Sequence, residues 1–271
     1  MADSVGLGSS VNSALQGVQR TSQQSNQTNE RLSSGQRIND PLDGAKDFFT
    51  TQALTNRAAD LAQVKDQVGQ AISTIQATDV GLEAINDLLG QARAIAQQVQ
   101  NTNDPTERAR LADQFNQTRV QIDSIAANSA IGDNNLIGSS PDTLEVSLNE
   151  DGSSSLSVQG AASTSAGLGI SAWTFDSNAD ADAALADISS AQTQVRSNST
   201  SLSSNTSTLQ NRIDFTDSLS NTLEQGAANL TQADLNEEAA SLLSLQTRQA
   251  LGANALTIAT DNERAVLSLF G

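Results

Sequence analysis

The sequence predicts a mainly α protein: an elongated, coiled-coil-like helical rod with paired terminal helices and a small β-hairpin region. Three observations carry this. An unbroken three–four apolar spacing runs over residues 61–99. Period-two alternation is confined to residues 144–158. Both ends carry heptad spacing with polar residues in the middle.

The first observation is the strongest. Leu61, Val64, Val68, Ala71, Ile75, Thr78, Leu82, Ile85, Leu89, Ala92, Ala96 and Val99 step by three and four with no proline between them. Such a sustained heptad seam is the signature of a coiled coil. A helix over 57–99 is roughly 65 Å long at ~1.5 Å per residue. That exceeds the compact radius of a chain of this size, so a rod is expected.

After a break, Asp104-Pro105-Thr106-Glu107 reads as a helix start. Asp104 is the N-cap, Pro105 lies in the first turn and Glu107 is the capping-box partner. Leu111, Phe115, Thr118, Ile122 and Ile125 form its stripe. A break of roughly eight residues fits an antiparallel return. Leu144, Val146 and Leu148 then alternate, Asn149-Glu150-Asp151-Gly152 turns, and Leu156 and Val158 alternate again, which is a hairpin pattern. Residues 161–173 are small and Ser- and Gly-rich and carry no clear period.

Ser177-Asn178-Ala179-Asp180 is a second capping box. Behind it Ile188, Val195, Leu202, Leu209, Thr216, Leu223 and Leu230 recur every seventh residue. The intervening Gln192, Ser199 and Thr206 make this a weaker seam. Asp234 can cap a last helix with Leu235, Ala239, Leu242, Gln246, Gln249, Ala253, Leu256, Thr260, Glu263, Leu267 and Phe270 on one face. The N-terminal arm matches it with Val11, Leu15, Val18, Ser22, Ser25, Asn29 and Leu32. These terminal seams bury too little to stand alone and read as made for one another or for further copies.

Composition excludes several functions. The 271 residues hold 14 bases and 31 acids, with no Cys, His or Tyr. A net charge of -17 argues against nucleic acid and against anionic lipid. Without His or Cys there is no imidazole acid–base chemistry, thiolate nucleophile or disulfide. Aromatics are 3 % and the mean hydropathy is -0.33, poor material for a thick enzyme core. Lys46 and Lys65 sit in no catalytic motif, and Ser33-Ser34-Gly35 has no base to activate it. No enzyme activity and no cofactor are expected. No apolar run reaches ~18 residues, and the first 20 lack the n- and h-regions of a cleaved secretory leader. Charge is uneven. Residues 1–56 carry five acids and four bases, residues 231–271 five and two, and the remainder 21 and eight. Near-neutral ends can pack against like copies, whereas the acidic middle suits a solvated surface.

Asp176, Asn178, Asp180, Asp182 and Asp187 have the offsets of a calcium loop. Ala181 stands where that loop needs glycine, and Asp187 where it needs a bidentate Glu, so the segment is read as a helix cap with no metal. The triplets at Asn26, Asn116, Asn198, Asn205 and Asn229 are read as chance matches to the N-glycosylation pattern. Ser153, Ser154, Ser155, Ser163 and Ser165 are the better candidates for an O-linked sugar.

Three motifs in order carry a family resemblance over essentially the whole chain. They are Glu30-Arg31-Leu32-Ser33-Ser34-Gly35-Gln36-Arg37-Ile38-Asn39; Phe115-Asn116-Gln117 with Ile122-Asp123-Ser124-Ile125-Ala126 and Asn134-Asn135-Leu136-Ile137; and Ala250-Leu251-Gly252-Ala253-Asn254-Ala255-Leu256 with Val266-Leu267-Ser268-Leu269-Phe270. Together they resemble a bacterial flagellin.

The resemblance implies a structural subunit that self-polymerises into the extracellular flagellar filament for swimming. It also implies export through the flagellar type III system without a cleaved signal peptide. The expected organisation is an N-terminal filament-core helix over 1–40 and a connecting spoke over 41–56. N-terminal rod helices follow over 57–135, then a β-hairpin and vestigial outer region over 136–176. A C-terminal rod helix over 177–230 and a C-terminal core helix over 231–271 complete it.

Val11, Leu15, Val18 and Leu32, with Leu235, Leu242, Leu256, Leu267 and Phe270, are the expected subunit-packing residues of the two core helices. Leu61, Val64, Val68, Ile75, Leu82, Ile85 and Leu89 are the rod seam. Gln91, Arg93, Ala94 and Ile95 match the stretch that the innate immune receptor reads in the family. Arg93 fits that pattern, whereas Gln91 and Ala94 replace an Arg and a Glu. Implied partners are other copies, an export chaperone, the hook–filament junction protein and the filament cap. The alternative within the superfamily is a hook–filament junction protein, which Ile38-Asn39-Asp40-Pro41 slightly resembles. A coiled-coil adaptor or effector is a more distant rival, with no need of matched terminal seams.

Overall fold

The computed structural model describes residues 2–270. Side chains are described from Val11 onward, apart from those of Glu263, Val266, Leu267, Leu269 and Phe270. The elements are α1 (Ala2–Ser34), α2 (Pro41–Gln100), α3 (Pro105–Asn128), β1 (Thr143–Ser147), β2 (Ser155–Gln159), α4 (Asn178–Thr231) and α5 (Leu235–Phe270). They form two compact units, one of Met1–Asn56 with Thr222–Gly271 and one of Arg57–Asn221. The chain passes between the units inside α2 and returns inside α4.

In the Arg57–Asn221 unit all twelve positions of the three–four spacing on α2 are buried. Ile72, Thr74, Gly81 and Leu88 are buried beside them. The stripe is wider than a two-helix seam because several elements cover it. Helix α4 runs antiparallel to α2. Lys65 donates to Asp217 (2.9 Å), Ser199 to Asp79, and Gln100 to Asp182 (2.6 Å), so rising positions on one helix meet falling positions on the other. Ile188, Ala191, Val195, Leu202 and Leu209 of α4 join the same core.

Helix α3 turns back along α2 after a break of only residues 101–104, shorter than the sequence suggested. Asp104 caps it, accepting from the Thr106 amide at 3.0 Å. Glu107 does not return to close the box; it pairs with Arg110 one turn on. At the far end of α3, a side chain at Gly81 would run into Ser129, so glycine is required by close approach. Asn135 then closes the helix. Its Nδ2 donates to the carbonyls of Ala126 and Ala127, and its Oδ1 accepts from the amides of Ile137 and Gly138. This satisfies orphan carbonyls at the helix end and sets Leu136 and Ile137 into the core.

Where α3 stops covering α2, the hairpin takes over. Leu144 pairs with Val158 and Val146 with Leu156 in an antiparallel register. Val146 and Val158 are buried in the helical core. The turn is held by Arg57, which donates to Glu150 at 2.7 Å, and by Arg212, which donates to the Leu148 carbonyl at 2.7 Å. The Ser- and Gly-rich stretch with no sequence period forms a strap along α3. Asp123 accepts from the Ser165 amide at 2.7 Å, Arg119 donates to the Ile170 carbonyl at 3.0 Å, and Asn116 to the Trp173 carbonyl at 3.0 Å. Phe175 ends the strap edge-to-face on Phe115 (5.3 Å), and Arg108 donates to its carbonyl.

In the other unit α1 and α5 pair antiparallel. Arg31 meets Glu238 at 3.4 Å, and a side chain at Gly252 would lie 2.9 Å from Val18 Cγ2.

Candidate assembly surfaces

The Arg31-Leu32-Ser33-Ser34-Gly35 motif builds a joint. Gly35 takes φ +70°, a left-handed conformation glycine adopts without strain, and its amide donates to the Arg31 carbonyl, ending α1. The chain beyond it pairs with the α4–α5 linker. Arg37 N donates to Thr231 O (2.6 Å) and Ala233 N to Gly35 O (3.0 Å). The Arg37 guanidinium donates to the Leu230 carbonyl at 2.9 Å, and Ile38 is buried against Gly44, where α2 leaves helical geometry. Asp43 holds the turn, its carboxylate accepting from the Asn39 amide at 3.1 Å and from Gln27 of α1. The Asn39 amide chiefly keeps this carboxyl below its ordinary range, with Gln27 and the Asp40 amide adding to it.

The α1–α5 contact keeps every seventh position of the expected seams and shifts the positions between them by one. On α1 the covered positions include Val11, Ala14, Val18, Thr21, Ser25, Thr28 and Leu32. Leu15 points away and is 40 % exposed, and Asn29 is also outside. On α5 the covered positions are Glu238, Leu242, Leu245, Gln249, Gly252 and Leu256. Gln246 and Ala253 are exposed, and Leu235 is half exposed. At two steps the pair covers the smaller neighbour, Ala14 instead of Leu15 and Gly252 instead of Ala253, which lets the helices approach closely. Leu267 and Phe270 lie outside the described side chains.

The same pair leaves large apolar groups outward. Leu243, Leu251 and Ile258 of α5 are 67 %, 63 % and 62 % exposed. They make an apolar row on the side of α5 away from the α1–α5 seam, and Leu15 is a separate exposed leucine on α1. Sequence reasoning missed these three because α5 carries apolar residues on both faces, so a single-stripe search is ambiguous.

In the Arg57–Asn221 unit Leu61, Val64, Val68, Ile75, Leu82, Ile85 and Leu89 all lie in the interior. Gln91, Arg93 and Ala94 are exposed and Ile95 is half buried, so this short stretch is presented at the surface of α2. The acids of the calcium-like spacing point to separate partners. Asp176 accepts from Thr174, Asp180 caps the Ser177 amide (2.8 Å), Asp182 accepts from Gln100 and Asp187 from the Ser171 amide. Ser163 and Ser165 are buried, whereas Ser153, Ser154 and Ser155 are exposed at the hairpin turn. Of these five serines only Ser153, Ser154 and Ser155 are presented to solvent.

A long helical unit with an outward apolar pair of terminal helices is the build of a self-assembling structural protein. Residues 9–140 match the family model for the bacterial flagellin N-terminal helical region. Flagellins FljM and FljO of Caulobacter vibrioides are each 30 % identical to this chain over 99 % of it and 98 % of their own length. A flagellin of Brucella melitensis is 27 % identical, covering 97 % of each chain. The crystal structure of Bacillus cereus flagellin aligns with a TM-score of 0.51 at 19 % identity, over 55 % of this chain and 88 % of that one, a likeness of fold. The chain belongs to the flagellin family. It is therefore a structural protein of the extracellular flagellar filament and not an enzyme.

Proposed function

We propose that this chain elongates the filament, its terminal helices forming the inner contacts between copies and its Arg57–Asn221 unit the outer layer. The observation that carries this is the outward apolar row of Leu243, Leu251 and Ile258 on α5. Single surface leucines are ordinary, but a row along a helix marks a protein interface. Leu267 and Phe270 extend the same helix and are assigned to the same contact.

In this reading 1–40 and 231–271 are the core helices, 41–56 is the spoke, 57–135 with 177–230 is the rod, and 136–176 is a reduced outer region. The buried seam of α2 gives the rod its stiffness. The chain leaves the cell unfolded through the flagellar export channel. An export chaperone, the hook–filament junction protein and the filament cap are its further partners. The surface stretch of Gln91, Arg93, Ala94 and Ile95 engages the immune receptor weakly, because Gln91 and Ala94 remove a guanidinium fork and a carboxylate. Reporter cells treated with monomer check that part, and full potency contradicts it.

Filament fragments seeded with purified chain test the main reading. Elongation into tubes supports it; capping or stalling of the seeds favours a junction protein.

A further inference from the structure

Two Asp–Gly pairs occur in the chain, Asp43–Gly44 and Asp151–Gly152. The dipeptide is chemically weak for a steric reason. Glycine has no side chain to shield its amide nitrogen, so that nitrogen can reach the carboxyl carbon of the aspartate before it. Whether it does so depends on how freely the two groups can turn toward each other.

The two pairs sit in opposite surroundings. Asp43 has both carboxylate oxygens engaged. One accepts from the amides of Asn39 (3.1 Å) and Asp40 (3.4 Å), and the other from Gln27 (3.1 Å). A Cβ on Gly44 would lie 3.2 Å from Ile38 Cδ1, so a buried side chain covers this stretch of backbone. Asp151 and Gly152, by contrast, are both exposed in the turn between β1 and β2. Gly152 takes φ +69°, and no atom lies within 4 Å of a Cβ built on it. The Asp151 carboxylate accepts from the Ser153 amide at 3.0 Å, two residues on, which curls the side chain along the Gly152 amide between them. That amide is only weakly tied, donating to the Asn149 carbonyl at 3.4 Å.

We propose that Asp151–Gly152 is a site of spontaneous modification, where the backbone isomerises to isoaspartate, and that Asp43–Gly44 is protected from the same reaction. Gly152 N bonds to Cγ of the protonated Asp151 carboxyl. The amide proton leaves with the carboxyl hydroxyl as water, and a succinimide ring closes. Water then opens the ring. Opening at the side-chain carbonyl restores aspartate, and opening at the main-chain carbonyl leaves isoaspartate. The sum is an isomerisation with no change of mass and no oxidation. The product routes the main chain through the former side chain. It adds one methylene to the turn and withdraws the acceptor of the Ser153 amide. The Asn39 and Asp40 amides and Ile38 are near neighbours of Asp43 in sequence, so its protection does not depend on the pairing of α1 with α5.

Full-length chain aged for weeks in neutral buffer at physiological temperature, folded and in denaturant, tests this. Labelling by an isoaspartyl methyltransferase measures the product, and electron-transfer fragmentation of peptides places it. In the folded chain isoaspartate should accumulate at position 151 at least several-fold faster than at position 43. In denaturant the two pairs should age alike. Asp151→Asn should lose ammonia through the same ring and reach the same isoaspartate several-fold faster. Equal ageing of the two pairs in the folded chain overturns the assignment of protection to Asp43. Isoaspartate at position 151 in denaturant but not in the folded chain overturns the site. An Asp151→Asn chain that yields aspartate without isoaspartate overturns the ring mechanism.

Discussion

Lys65 and Asp217 form an ion pair of 2.9 Å that joins α2 to α4 across 152 positions of sequence. Ser199 with Asp79 and Gln100 with Asp182 repeat the relationship further along. The apolar seam alone tolerates a slip by one heptad, because each seven-residue step presents the same pattern. Polar pairs at three separated heights do not. We assign these contacts to fixing the register, since exposed ion pairs add little stability by themselves.

Leu82 lies in the middle of that seam and is fully enclosed. Leu82→Ala should cost about 2–5 kcal/mol through lost transfer and an unfilled cavity. Leu82→Asp should cost more, because its carboxylate would be buried without a partner. Thermal melting followed by circular dichroism measures both. Leu42→Asp, at a position that is almost fully exposed, should leave the curve unmoved.

Gly252 tests the close approach of α1 and α5. Alanine gains about 1 kcal/mol of helix propensity over glycine. Against this, its Cβ would stand 2.9 Å from a stiff valine methyl of Val18. Gly252→Val adds bulk on the same line and should separate the helices. Seeded elongation by Gly252→Val should be slowed at least several-fold. Val18→Ala in the same chain should restore part of it.

Asp43 predicts an acid-sensitive joint. Its carboxyl is held below the ordinary value in the folded chain, chiefly by the Asn39 amide. Its contribution to stability is therefore present above the unfolded value near ~3.9 and is lost as pH falls through the lower folded value. Asp43→Asn should lower the melting midpoint at pH 6. The difference from the unaltered chain should close as pH falls through the lowered folded value of this carboxyl, below the ordinary carboxylate range. A difference that persists in acid means the amide contacts alone carry the joint.

Much of the fold was legible because the Arg57–Asn221 unit follows simple rules. Every position of the three–four run on α2 is buried, and the hairpin register follows from the alternation around Val146 and Val158. The strap was not legible. It has no period, since its own hydrogen bonds are local turns such as Leu168 to Thr164 and Ile170 to Ser165, and it is anchored by Arg119, Asp123 and Asn116 of α3. Half of each terminal seam was legible: Val11, Val18, Ser25 and Leu32 on α1 and Leu242, Gln249 and Leu256 on α5 are covered, while the intervening positions are shifted by one. Helices with two working faces present two overlapping stripes, and size alone chose Leu15 when the pair uses Ala14. The joint at Gly35 was visible as a motif, but its mechanism, pairing with residues 231–233, depends on a partner some 200 positions away.

The central claim is that the α1–α5 pair is incomplete in one chain and is finished by its neighbours. The row of exposed Leu243, Leu251 and Ile258 and the polar seam at Ser25 and Thr28 leave little buried apolar area to offset roughly 1–2 kcal/mol of backbone entropy per ordered residue. Hydrogen–deuterium exchange on dilute monomer and on seeded filaments measures this directly. Amides of α1 and α5 should exchange quickly in the monomer and slow by orders of magnitude in filaments, while those of residues 61–99 stay protected in both. Terminal helices equally protected in monomer and filament would contradict the account.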